Sequence, residues 1–170
     1  MNNPYAIPFV GLKLGIHEFE FDIDKSFFES LPYSLIEDGR LIAYLELEKK
    51  ETMLIANIGI DGFIFSNCDR CGEPINQEID GEFTIYYTFG YEESEDENLI
   101  VIAPESYQID ITQPLYELIS LSLPAKMVHE EGECNEEMVA LINKYQQPSS
   151  DSKPDEDDID PRWSALKNLN

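Results

Sequence analysis

Basic residues are scarce in this chain: 11 Lys and Arg stand against 35 Asp and Glu, a net charge of 11 − 35 = -24. Grip on a nucleic-acid backbone depends on lysine and arginine displacing counterions, so a broad nucleic-acid surface is disfavoured, and anionic membranes are repelled for the same reason. No uninterrupted apolar run is long enough to span a bilayer, and the opening MNNPYAIPFVGLKLG has no basic leader ahead of an apolar core. A cytoplasmic protein without membrane association is expected. Cysteine is limited to 3 and tryptophan to 1. Three thiols cannot all pair within one chain, and a reducing compartment keeps them free, so a disulfide framework is not expected. A Gly-rich phosphate loop, a nucleophile elbow and a helical His-Glu-x-x-His are all missing, which speaks against an ordinary enzyme.

What remains is enough for one core. At 170 residues and 42% hydrophobic, the chain suits a single domain with a tail. In GIHEFEFDID, His17, Phe19, Phe21 and Ile23 alternate with acids, the period of a strand with one wet face. His17 reads as a half-buried neighbour on that strand and not as a ligand. RLIAYLELEKK alternates through Leu41, Ala43, Leu45 and Leu47. MLIANIGIDGFIF does so through Leu54, Ala56, Ile58 and Ile60, until Asp61-Gly62 introduces turn or bulge chemistry. EFTIYYTFG places Phe83, Ile85, Tyr87 and Phe89 on one face. Helical signals are Asp24 capping KSFFESL, Thr112 capping QPLYELISLSL with Pro114 in its first turn, and Asn135 capping EEMVALINKY, where Met138, Leu141, Ile142 and Tyr145 share a face.

The expected architecture is α+β: mainly antiparallel sheet or a partly open barrel, two helices in the second half, and a short C-terminal helix. A domain over 1–145 is followed by an acidic, disordered linker over 146–159 and a helical motif over 160–170. The acidic pairs Glu92-Glu93 and Asp155 to Asp158 sit in charge runs that read as solvated.

The chemistry-bearing stretch is FIFSNCDRCGEPI. Cys68-x-x-Cys71 supplies two thiolates from one tight turn, and MVHEEGEC adds His129 and Cys134. Together they form a Cys3His set that uses every cysteine, which suits a structural zinc ion with no open coordination position. Two other readings stand beside it: buried, unligated thiols, and thiol redox or zinc-dependent enzyme chemistry at the Cys68-x-x-Cys71 pair.

Taken in order, GLKLGIHEFEFDID with FFESL, CDRCGEPI, YELISLSLPAK and the terminal DPRWSALKNL resemble the YceD-like large ribosomal RNA subunit accumulation proteins. The sharpest elements are Cys68, Arg70 and Cys71, and the run Asp160, Pro161, Arg162, Trp163 and Leu166; Gly72 departs from the leucine that relatives commonly carry. The resemblance implies a non-catalytic bacterial or organellar factor for accumulation of large-subunit (23S) ribosomal RNA, and no catalytic residues carry over. Combined with the charge, it implies a basic large-subunit ribosomal protein or assembly intermediate as partner. Asp160, Arg162, Trp163 and Leu166 then have two readings: a helix folded back onto the domain, or a tethered recognition element.

Overall fold

The structure, a computed structural model, describes residues 3–146 apart from 93 and 97. The C-terminal motif with Asp160, Arg162, Trp163 and Leu166, and the acidic linker beyond Gln146, lie outside the described residues.

Alternation of apolar and polar residues builds the main sheet. β2 (Gly15–Ile23), β3 (Asp38–Lys49), β4 (Met53–Asn67) and β5 (Pro74–Phe89) form consecutive antiparallel pairs. Leu41, Leu45 and Leu47 on β3 and Leu54, Ile58 and Ile60 on β4 point to one face and are buried. A fifth strand, β6 (Leu99–Ile102), joins β5 in parallel, so the sheet is mixed. β6 returns alongside β5 through the acidic loop 90–98, whose ends are fastened by Tyr86 N–H to the Asn98 carbonyl and Gly90 N–H to that of Ile102. β1 (Ala6–Pro8) and β7 (Gln108–Asp110) form a separate antiparallel pair.

The sheet is open, with β2 and β6 at its edges, and no barrel closes. The buried face is covered by helices instead. α1 (Lys25–Glu29) drives Phe27 and Phe28 into the core, and its N-cap is Asp24, whose carboxylate accepts from Ser26 N–H at 2.8 Å. α2 (Thr112–Ser122) contributes Leu115 and Ile119, both fully buried; each such side chain contributes about 1.5–3 kcal/mol. The expected Thr112 cap is corrected here: Thr112 is already helical, and the carboxylate of Asp110 accepts its N–H at 2.9 Å. An ionised carboxylate is a better acceptor for an orphan helix N–H than the threonine hydroxyl. Lys49 ties the N-terminal segment to the end of β3, donating to the carbonyls of Phe9 and Leu12 at 2.8 and 2.9 Å.

One further expectation changes. Asp61-Gly62 does not interrupt β4, whose register with both neighbours runs unbroken through it. Gly62 adopts φ 150° because the β3 backbone passes against it: an added Cβ would lie 2.7 Å from Leu41 Cα and closer still to the Arg40 carbonyl. On α3 (Glu136–Gln146) the apolar stripe is largely wet, with Met138, Leu141 and Tyr145 exposed by 40%, 47% and 77%. Asn135 caps this helix as expected, accepting from Glu137 and Met138 N–H. Among the described residues no helix is long and apolar enough to cross a membrane.

Candidate metal centre

The turn between β4 and β5 is built around its cysteines. The N–H of Cys68 donates to the Glu73 carbonyl, and the N–H of Gly72 donates back to the Cys68 carbonyl, both at 2.8 Å. Gly72 closes the turn at φ 76°, a conformation that costs glycine little. The second half of the site is clipped alongside: Asp69 N–H donates to the Met127 carbonyl, and Met127 N–H to the Asp69 carboxylate, each at 2.7 Å. That clip starts the loop carrying His129, which turns at Gly132 and delivers Cys134 immediately before α3.

The result brings all four sequence-identified ligands together. One ligand atom from each of Cys68, Cys71, His129 and Cys134 lies within 4.8 Å of the others. Zinc–sulfur bonds of about 2.3 Å and zinc–nitrogen bonds of about 2.0 Å at tetrahedral angles put neighbouring ligand atoms about 3.5–3.8 Å apart. Here Cys68 Sγ and Cys134 Sγ are 3.8 Å apart, Cys71 Sγ and His129 Nδ1 3.4 Å, and Cys134 Sγ and His129 Nδ1 3.9 Å. His129 Nε2 lies 3.0 Å from the Pro74 carbonyl, which can only accept. The proton therefore sits on Nε2 and the Nδ1 lone pair faces the thiols, the tautomer a metal ligand requires.

The electrostatics favour thiolate at the first pair. Burial pushes the Cys68 thiol up, but the backbone N–H groups of Cys71, His129 and Arg70 outweigh it and bring it down to about 6. Cys71 is also lowered, chiefly by the N–H groups of Asn135 and Glu73. Cys134 is raised, first by burial and then by its sulfur neighbours, whereas His129 is raised by its bond to the Pro74 carbonyl and by Cys71. The Arg70 guanidinium approaches Cys134 Sγ at 3.7 Å, where it would offset part of the negative charge of a thiolate. All three cysteines are buried, packed with Ile75, Val128 and Val139 in a small cluster separate from the main core.

Sequence reasoning alone did not reach the Pro74 carbonyl or the Asp69–Met127 clip, which become visible only when distant segments meet. His17 stays apart from the cluster, half-buried on β2 with Nε2 2.8 Å from the Lys13 carbonyl. A family model described as Large ribosomal RNA subunit accumulation protein YceD matches residues 57–170, a span that includes the whole cysteine–histidine set. No curated protein and no solved structure matches the chain.

Proposed function

The chain belongs to the family of large ribosomal RNA subunit accumulation proteins described as YceD, and from that premise we propose that it is a non-catalytic assembly factor held in shape by a structural zinc ion. In this reading it binds a basic large-subunit ribosomal protein or assembly intermediate and so supports accumulation of 23S ribosomal RNA. The observation that carries the choice of partner is the net charge of -24, which repels RNA phosphates and attracts the lysine- and arginine-rich proteins that bind them. Zinc would be held by Cys68, Cys71, His129 and Cys134, a full tetrahedron without a position for a reacting water. The terminal Asp160, Arg162, Trp163 and Leu166 would add a tethered contact to the same partner.

The test is an affinity pull-down from native lysate with and without ribonuclease, across a salt series. Recovery of a basic large-subunit protein that survives ribonuclease and is lost at high salt is expected. Recovery that depends on intact RNA, or no ribosomal enrichment, would overturn the direct-partner reading. Loss of recovery on Trp163→Ala at unchanged melting temperature would assign the terminal motif to recognition.

Zinc retention gives a second check, through pH. Ligands bind metal only after losing their protons, so acid competes with zinc. Cys68 keeps its thiolate down to about pH 6, while the raised His129 takes up a proton at higher pH than free histidine does. Zinc is therefore expected to be retained at pH 8 and released on acidification, with the lowered Cys68 and Cys71 extending retention and the raised Cys134 and His129 working against it, read with a zinc-sensitive dye. Retention unchanged at about pH 2, where thiols and imidazole are fully protonated, would contradict this ligand set.

A further inference from the structure

Helices α1 and α2 cover one face of the five-stranded sheet; among the described residues the other face is bare. The register defines its rows: Glu20, Tyr44, Gly59 and Glu82 lie in line across β2 to β5, and the next row is Glu18, Glu46, Asn57 and Thr84. Gly59 leaves a gap in this surface. Over it lies a depression of about 630 Å³, lined by Tyr44 and Tyr86 with Glu46, Glu82, Asn57 and Thr84. The two rings are 48% and 39% exposed, far more than packing against a fold would leave them. A chain of hydrogen bonds, Thr84 to Asn57 at 2.9 Å and Asn57 to Glu46 at 3.2 Å, positions one carboxylate of the rim.

Nothing in folding calls for this arrangement. The ion pairs among the described residues are Lys25–Glu29 and Lys50–Glu48, and neither involves the acids of the gap. Glu18 stands directly opposite Glu46, and Asp61 opposite Asp80, like-charge pairs that weaken a sheet. Arg40 is the one basic residue at an outward position on β2 to β5. A surface that is repulsive in isolation gains when a cation covers it.

We propose that the depression over Gly59 is a docking slot for a basic polypeptide, with an arginine side chain entering between Tyr44 and Tyr86 and pairing with Glu46 and Glu82. A guanidinium plane stacks on aromatic faces and forks to carboxylates, which lysine cannot do as well, and nucleic acid is repelled by the same acids. That the occupant is a basic polypeptide rests on the assembly-factor reading above; the position of the slot rests on the sheet alone.

Gly59→Val tests it without changing charge. A Cβ at this position would meet only the Gly81 carbonyl oxygen, at 3.9 Å, and valine suits a strand, so the variant keeps the fold and fills the slot. The probes are labelled peptides alternating arginine or lysine with serine, followed by anisotropy and by amide shifts in the full-length protein. Shifts centred on Asn57, Gly59, Thr84 and Tyr86, tighter binding of the arginine peptide, and affinity about tenfold weaker in Gly59→Val are expected. If Gly59→Val does not fold, Tyr44→Ser and Glu82→Gln, both at exposed positions, give the same readout. Unchanged affinity in the folded variants, or shifts confined to 91–98 or 130–137, would overturn the slot. A pull-down that recovers no ribosomal protein while the peptide still maps to the slot would instead overturn the assembly-factor reading and leave the slot standing.

Discussion

Replacing Cys71 by serine is expected to abolish zinc binding and to release residues 127–146 from the body of the protein while the five-stranded sheet stays folded. The reason is the division of the interior. The main core draws on β1 to β5, β7, α1 and α2, whereas the cysteines form their own small cluster with Ile75, Val128 and Val139. α3 has little else to hold it, because Met138, Leu141 and Tyr145 are 40%, 47% and 77% exposed and Val139 packs against the cysteine cluster itself. An eleven-residue helix is marginal in water by itself, and on the zinc reading the free energy of a structural zinc site, on the order of ten kcal/mol in isolated fingers, would be what fixes it. One zinc per chain in the parent and none in Cys71→Ser, with fast amide exchange limited to 127–146, is the expected pattern by native mass spectrometry and hydrogen exchange. A chelator should reproduce it. Thiols that ignore the chelator and show a measurable reduction potential would favour the redox reading of Cys68-x-x-Cys71.

Gly62→Ala should damage the whole fold. At φ 150° an alanine is strained, and its methyl group would meet the backbone of Arg40 and Leu41, which cannot withdraw without breaking the β3–β4 ladder. Strain and clash together should cost about 3–5 kcal/mol, a large part of the stability of a domain this size. The melting temperature is then expected to fall by about 10 °C, with a lower denaturant midpoint at similar slope. A loss below about 1 kcal/mol would mean that the two strands can separate locally at no great cost. Gly59, three positions earlier on the same strand, has open space above it and ordinary φ, so the same class of substitution is expected to separate a glycine needed for folding from one needed for binding.

The difference between those glycines shows where sequence reading stops. Both stand in an alternating strand that is legible as such, because Leu54, Ala56, Ile58 and Ile60 recur with period two. Which glycine faces the β3 backbone and which faces solvent depends on register, and register needs the partner strand. The same limit applies to the short strands: three residues, as in Ala6–Pro8 or Gln108–Asp110, contain no period to detect. The choice between an open sheet and a barrel lies in whether β2 and β6 meet, which no single strand's pattern records. At the cluster, residue economy was informative because cysteine and histidine are rare here. The row of Tyr44 and Gly59 is legible only when the alternations of β3 and β4 are aligned across their tight connection, which places the two side by side.

The pairing of β1 with β7 sets an order of events during synthesis. β2 to β5 follow one another in the chain and can pair as they leave the ribosome, since each contact is between sequence neighbours. Ala6 must wait for Asp110, its register partner. At elongation rates of about 5–20 residues per second, that delay is on the order of ten seconds. Throughout it Ile7 and Phe9, both buried in the finished protein, have no place to go. The segment carrying Ile7 and Phe9 is thus made before the main sheet and buried after it, together with the residues of α2.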